Sequence, residues 1–160
     1  MKSIEDTLKI ILDITNALPV KVDIALIGGY AIIAHGVERT TIDVNFCIYS
    51  DLIHETNSAE FFKLLNDTLP KRFSARLIKC GKDPDDPLKH DIIFIDDTEG
   101  EYERIDLLIA HYKWEREGIE KAVHIGEVPF PVLSKPYLAA MKLRASGYKD
   151  AHDVAPSLVS

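Results

Sequence analysis

The chain has 160 residues, of which 46% are hydrophobic and 28% are charged. This size and composition predict one globular domain over residues 1–160 and exclude a disordered, collagenous or multidomain protein. No apolar run approaches the roughly 18 residues of a membrane span, so we expect no membrane partner and a cytoplasmic location.

The net charge of −7 is distributed unevenly along the chain. Residues 81–103 carry nine acidic side chains against Lys82 and Lys89, so this stretch accounts for the whole excess of negative charge. The remainder is balanced, and a phosphate-binding site elsewhere is therefore electrostatically possible. The acidic stretch itself is most simply a solvated loop and strand edge.

The cysteines and histidines form no recognisable metal or disulfide pattern. Cys47 and Cys80 stand apart without CxxC spacing, which favours reduced, packed thiols. The six histidines show no HxxxH spacing. The motifs GxSxG, GxGxxG and GxxxxGK[ST] are absent from the sequence, which disfavours hydrolase triads, Rossmann dinucleotide binding and P-loop chemistry.

Helical and strand periodicities alternate along the chain. The first half predicts a helix, a buried strand, a two-turn helix, a strand and a helix, at Ile4–Leu18, Asp23–Ile27, Tyr30–His35, Thr41–Tyr49 and Asn57–Leu69. The second half predicts three strands, a helix, a short hairpin or pair of edge strands, and two helices, at Phe73–Lys79, Asp91–Ile95, Arg104–Ala110, Tyr112–Ala122, Val123–Leu133, Ser134–Ala145 and Tyr148–Leu158. The predicted class is α/β or α+β, a small mixed sheet flanked by helices, with the C-terminal helices 134–158 packed on the core.

Paired glycines follow the first predicted strand directly. Gly28 and Gly29 precede a predicted helix, so backbone N–H groups are available there at the positive end of that helix. Glycine also has no side chain to keep a phosphate at a distance. The pair is a candidate triphosphate cradle, although a tight strand-to-helix turn would use the same residues.

Polar side chains on two later strands are candidate ligands of a divalent cation. Asp43 and Asn45 lie two residues apart on a predicted strand and project from one face, as suits the oxygen preference of Mg²⁺. Asp106 points away from its aliphatic neighbours on another strand, where a carboxylate needs a partner. That partner is either a metal shared with Asp43 or a cation among Arg39, Arg104 and Lys142.

Gly28-Gly29, a thirteen-residue gap, Asp43 and Asp106 resemble the signature of the nucleotidyltransferase superfamily of the DNA polymerase beta type. A narrower resemblance is to the minimal prokaryotic branch that includes AbiEii-type toxin nucleotidyltransferases. It rests on the segments Gly28–Ala31, His35–Gly36, Arg39–Asp43, Leu138–Ala145 and Lys149–Asp153. These segments occur in the family's order and extend the resemblance from Ile24 to Leu158.

The resemblance implies a nucleotidyltransferase fold and an activity. The enzyme would transfer a nucleoside monophosphate from an NTP to a hydroxyl of an RNA such as a tRNA, of a protein, or of a small molecule. Asp43, Asn45 and Asp106 would be catalytic and would hold Mg²⁺ or Mn²⁺. A cognate toxin–antitoxin partner is also implied.

The same resemblance assigns the phosphate-binding residues. Gly28 and Gly29 would cradle the triphosphate, while Arg39 and Lys142 would supply positive charge. A local ion pair for Arg39 and a solvated helix position for Lys142 are equally simple interpretations.

Asn45 departs from the family pattern, which has an acidic residue at this position. An amide oxygen can ligate Mg²⁺, but the site loses one negative charge. The chain is therefore either an enzyme that relies on Asp43 and Asp106, or an attenuated nucleotide-binding or toxin–antitoxin interaction module with the same fold. Metal-dependent phosphoester hydrolysis is a third, weaker interpretation.

Overall fold

The computed structural model describes residues 2–28, 31, 34–36, 44–53, 57–79 and 90–146, with side chains as far as Met141. Its elements in chain order are α1 (Ile4–Ala17), β1 (Asp23–Ile27), β2 (Val44–Tyr49), α2 (Ala59–Thr68), β3 (Phe73–Ile78), β4 (Ile92–Asp97), β5 (Ile105–Ile109), α3 (Lys113–Glu120) and α4 (Lys135–Ser146). They agree with the predicted order of elements. Residues 41–43 of the predicted second strand and the predicted helix 148–158 lie outside the described residues.

The five strands form one mixed sheet in the order β1-β2-β5-β4-β3. The neighbours β2 and β5 run parallel, and the other three pairs are antiparallel. The predicted small mixed sheet with helices is therefore confirmed, and the class is α+β. The parallel pair joins strands that are far apart in sequence, because α2, β3 and β4 lie between them along the chain.

Apolar side chains pack between the sheet and the helices. The largest fully buried ones include Phe46, Phe61 and Phe130, and the rings of Phe46 and Phe130 meet edge-on with centroids 4.8 Å apart. Along β5 the buried residues alternate with half-buried ones, as predicted, so Asp106 lies on the more open face of the sheet. None of the helices in the described ranges has the length and apolar character that crossing a membrane requires.

The segment after α3 covers the outer edge of β1. The Leu26 N–H donates to the Pro131 carbonyl at 2.8 Å, and the Leu133 N–H donates to the Leu26 carbonyl at 3.0 Å. Within this segment Val123 and Val132 form an isolated antiparallel bridge, which is all that the described residues contain of the predicted hairpin. This segment thereby supplies hydrogen-bonding partners to both backbone groups of Leu26 on this edge of the sheet.

A buried carboxylate fixes the start of α3 against the sheet. One Glu115 oxygen accepts a hydrogen bond from His90 Nε2 at 2.6 Å, and the other accepts the N–H groups of His111 and Tyr112. Burial by itself would raise the pKa of Glu115, but the hydrogen bonds from His90 and the backbone outweigh it and lower the pKa. The ionised carboxylate therefore holds α3 beside the end of β5.

The predicted solvation of the acidic stretch is wrong at two of its residues. Asp91 is buried and accepts a hydrogen bond from Ser58 Oγ at 2.5 Å, while the Asp97 side chain is enclosed beside Arg72. Because Ser58 is engaged with Asp91, it makes no side-chain cap on α2, and Asn57 accepts the Ala59 N–H instead. Each enclosed carboxylate has a hydrogen-bonding partner, as burial of a charge requires.

Candidate functional site

A row of directly paired residues crosses the sheet at the candidate site. Ile27 of β1 pairs with Asn45 of β2, Asn45 pairs with Asp106 of β5, and Asp106 pairs with Phe94 of β4. Paired residues on neighbouring strands lie about 4.8 Å apart and project from the same face. The structure therefore places the Asn45 amide and the Asp106 carboxylate side by side.

Gly28 follows the end of β1 and lies against Asn45. A Cβ atom on Gly28 would lie 2.6 Å from Asn45 Nδ2 and 3.2 Å from Asn45 Cβ, so a side chain at this position would have to displace the Asn45 side chain. The Gly28 φ of +74° is also a conformation that glycine adopts readily and other residues rarely do. The backbone conformation therefore favours glycine here, and the close approach of the Asn45 side chain adds to this preference.

The chain after Gly28 is helical at the described positions Ala31 and Ala34. The His35 N–H donates to the Ala31 carbonyl at 3.1 Å, and Gly36 follows with a φ of +93°, typical of a glycine at a helix end. His35 Nε2 also donates to the Leu133 carbonyl at 2.9 Å. These contacts agree with the helix predicted after the glycine pair and attach it to the segment beside β1.

The face of β2 that carries Asn45 becomes buried two residues further along the strand. Cys47 shares the face of Asn45 but is completely buried, as was expected for a packed thiol. Burial raises the pKa of the Cys47 thiol, and the nearby Glu115 charge adds to the effect. Cys47 is therefore a packing residue that separates Asn45 from Tyr49, the next half-buried residue on this face of β2.

Asp106 forms an ion pair with Arg104. Arg104 Nε donates to Asp106 Oδ1 at 2.9 Å, and a second guanidinium nitrogen donates to Oδ2 at 3.4 Å. The side chains are 50% and 23% exposed, respectively, so the pair lies at the surface. Of the three cations named as alternative partners for Asp106, Arg104 contacts it, and the side chains of Arg39 and Lys142 lie outside the described part of the chain.

Phe94 and Arg76 extend the row towards the edge of the sheet, and the sequence analysis did not identify them. The guanidinium of Arg104 lies 4.3 Å from the centroid of the Phe94 ring, and that of Arg76 lies 5.3 Å from it. Both distances are within the range of a cation–π interaction. The alternation along β4 placed Phe94 opposite the buried Ile93 and Ile95, and this was the available signal.

Several predicted site residues lie outside the described part of the chain. Gly29, Arg39 and Asp43 belong to the ranges that are not described, and Lys142 is described only as backbone within α4. The structure thus brings together Gly28, Asn45 and Asp106 and leaves the other assignments as predictions.

The donors at this position suit a hard cation. Asp106 offers carboxylate oxygens and Asn45 offers an amide oxygen, both from adjacent strands on one face. Over the described ranges, however, no cluster of three His, Cys, Asp or Glu side chains could hold a metal ion by itself. Asn45 and Asp106 thus offer two of the three predicted oxygen donors, and Asp43, the third, lies outside the described residues.

A separate cavity of about 450 Å³ lies at the other end of β1 and β2. Its lining includes two basic and four acidic side chains, those of Lys113, Arg116, Asp23, Asp51, Glu117 and Glu120. Tyr49, also in its wall, is four residues along β2 from Asn45, which corresponds to about 13 Å. The cavity is therefore distinct from the row at Gly28, Asn45 and Asp106.

No protein-family model matches the sequence, and no curated protein matches it significantly. Solved structures similar to this chain include terminal uridylyl transferase 4 from Trypanosoma brucei with bound CTP, at 12% identity and a TM-score of 0.44. That match covers 68% of this chain and 35% of the transferase, so this chain spans little more than a third of its length. A candidate nucleotidyltransferase from H. pylori is 15% identical, with a TM-score of 0.44 and coverage of 89% of this chain and 59% of the other. At such low identities and TM-scores these likenesses assign no activity to this chain.

Proposed function

We propose that this protein transfers a nucleoside monophosphate from an NTP to a hydroxyl acceptor and releases pyrophosphate. One observation carries the proposal: a glycine with a positive φ lies against Asn45, which is paired with Asp106 on the next strand. This arrangement combines a backbone that a phosphate can approach with oxygen donors on a neighbouring surface.

Each residue of the site has a role in the proposed reaction. The backbone at Gly28 and Gly29 would accommodate the triphosphate, and Arg39 and Lys142 would supply positive charge to it. Asp43, Asn45 and Asp106 would hold Mg²⁺ or Mn²⁺, which would offset negative charge on the triphosphate when bound.

The bond changes are those of a phosphoryl-group substitution. The acceptor hydroxyl oxygen forms a bond to the α-phosphorus as the bond between that phosphorus and the bridging oxygen of pyrophosphate breaks. Asp106 lies on the open face of the sheet and would accept the hydroxyl proton. The pyrophosphate leaves with the bonding electron pair.

The finer assignments form part of the same proposal. The acceptor would be an RNA such as a tRNA, a protein or a small molecule, and the protein would act in the cytoplasm. Residues 1–160 would form one domain with the C-terminal helices 134–158 packed on it. The narrower similarity to AbiEii-type toxins suggests a cognate partner from a toxin–antitoxin pair.

A second candidate function is nucleotide binding, or contact with a toxin–antitoxin partner, without turnover. It is favoured by Asn45, which supplies an amide where the resembled family has an acid, so the site has less negative charge to balance divalent cations. The fold and the glycine bend would be retained under this alternative.

Transfer of label from NTPs radiolabelled at the α-phosphate distinguishes the two functions. The purified protein would be incubated with each NTP, Mg²⁺ or Mn²⁺, and tRNA, protein or small-molecule acceptors. Under the enzyme proposal, Asp43→Ala and Asp106→Asn each reduce transfer by at least about a hundredfold, because they remove groups that act on the reacting phosphate.

Asp96→Asn is the matched control. Asp96 is also a partly exposed strand aspartate paired with an arginine, Arg76 at 3.4 Å, but it lies away from Gly28. The control should retain transfer. No transfer by the unmodified chain, with transfer gained in Asn45→Asp, would identify an eroded enzyme and favour the second function. Label released without attachment to an acceptor would instead indicate hydrolysis.

A further inference from the structure

Arg104 contacts the candidate site from the side opposite Gly28. Asp106 has Asn45 as its neighbour on β2, with Gly28 beyond it, and has Phe94 as its neighbour on β4. The Arg104 guanidinium contacts both oxygens of the Asp106 carboxylate and lies over the Phe94 ring at 4.3 Å. The cation therefore engages the carboxylate that the proposed function assigns to a metal.

An arginine held across a carboxylate competes with a divalent cation. Both oxygens already accept guanidinium N–H groups, so their lone pairs are partly occupied. A positive charge within a few ångströms also repels a second cation, by an amount that water and salt reduce but do not remove. Metal binding at Asp106 thus requires the guanidinium to move away.

The environment of Arg104 permits this movement. The side chain is half exposed, and its planar cation already lies on an aromatic face that can hold it without the carboxylate. Leaving Asp106 would therefore not leave the guanidinium buried without a partner.

We propose that Arg104 is a built-in counter-ion of Asp106 that a divalent cation must displace, and that it thereby sets the metal affinity of the site. The inference rests on the proposed function, because it takes Asp106 as a metal ligand. Arg104 neutralises the carboxylate in the metal-free protein, and it leaves the carboxylate but stays on the Phe94 ring when the metal binds.

Binding of Mn²⁺ alone, followed by the loss of the free-ion signal in electron paramagnetic resonance, tests the proposal. Arg104→Gln should bind Mn²⁺ about tenfold more tightly than the unmodified protein, because a competing charge is removed. Arg104→Lys retains the charge and should stay close to the unmodified protein. Arg76→Gln is the matched control, since Arg76 lies over the same ring but pairs with Asp96, and it should leave the affinity unchanged.

The possible failures are distinguishable. Equal or weaker Mn²⁺ binding by Arg104→Gln, with binding lost in Asp106→Asn, would overturn the role of Arg104 and leave the metal assignment intact. Absence of Mn²⁺ binding in every variant, or undiminished binding in Asp106→Asn, would overturn both.

A measurement on the unmodified protein covers the case in which Arg104→Gln fails to fold. The Arg104 Nε–H donates to Asp106, so its NMR signal should shift as Mg²⁺ is added and that bond is lost. The Nε–H signal of Arg72, which donates to Asp97, should not shift and serves as the internal reference. A Mg²⁺ titration that leaves the Arg104 signal in place would overturn the proposal.

Discussion

Two arginine–aspartate pairs of similar geometry occupy very different surroundings in this protein. Arg72 and Asp97 meet at the turn between β4 and β5, and Arg104 and Asp106 meet at the candidate site. In each pair two guanidinium nitrogens contact the two carboxylate oxygens. The acid of the first pair is fully enclosed, whereas that of the second is 23% exposed.

The turn saturates Asp97 with hydrogen bonds. Besides Arg72, its oxygens accept the backbone N–H groups of Glu99, Glu101 and Tyr102. The hydrogen bond from Arg72 is the largest cause that holds the pKa of Asp97 far below its usual value, and the three backbone donors add to it. A carboxylate held in this way organises the turn and is not available to a ligand.

The contrast teaches that the pairing of an acid is not enough to distinguish a structural residue from a functional one. Exposure and neighbours make the distinction. Asp106 adjoins Asn45 and the Gly28 bend, and its guanidinium partner is half exposed, so this pair can exchange partners. Such a pair contributes little to stability, and selection for function can retain it.

The largest expected effect is a difference in protein stability between substitutions of Asp97 and of Asp106. Asp97→Ala should lower the free energy of unfolding by about 2–3 kcal/mol, because it removes the shared acceptor of the Arg72 guanidinium and three backbone N–H groups. Asp106→Ala should lower it by at most about 1 kcal/mol, since its pair is at the surface. Urea denaturation of both variants measures the difference, and equal losses would contradict the contrast between the two pairs.

The glycines of the two regions provide a matched comparison. Gly28 at the site and Gly100 at the turn have φ values of +74° and +70°, but a Cβ has open space only at Gly100. Both alanine substitutions should cost about 1–2 kcal/mol for the backbone conformation, and Gly28→Ala should cost about 1–3 kcal/mol more for the contact with Asn45. Similar unfolding free energies for the two variants would show that the Asn45 side chain moves aside freely.

The smallest expected effect is a loss of stability at low pH, where Asp97 begins to be protonated. The folded-state pKa of Asp97 lies below its ordinary value of 3.8, so its ionised form stabilises the protein fully above that value and progressively less as the pH falls towards the folded pKa. The stability advantage of the unmodified protein over Asp97→Asn should therefore shrink by about 1 kcal/mol between about pH 6 and about pH 3. Urea denaturation of the unmodified protein and of Asp97→Asn at each pH measures this difference. A stability difference that increased at low pH would contradict the lowered pKa of Asp97.

Much of the fold could be predicted because local sequence patterns reflect local geometry. The helix predicted from Ile4 forms, with a capping box of Ser3 and Asp6 at its start, and the alternation along β5 placed Asp106 on the more open face. The predicted solvation of the acidic stretch failed at Asp91 and Asp97, because their partners Ser58 and Arg72 are distant in sequence.

The candidate site was predictable in its residue types and less so in its contacts. Gly28 and Asp106 were identified from spacing and from the resemblance, and the structure places Gly28 and Asp106 on either side of Asn45. The contact of Arg104 with Asp106 could not be established from the sequence, because it depends on where the side chains lie in the fold. Phe94 had no motif to mark it, and its role emerges only from the pairing of β4 with β5.

The sequence by itself determined the order of helices and strands, the alternation of faces and the glycine bend after β1, since each depends on residues close together in the chain. Only the tertiary structure decided that Asn45 lies beside Asp106, that Arg104 holds that carboxylate and that Asp97 is enclosed. These contacts depend on strand register and on the packing of distant segments, which short-range patterns do not specify.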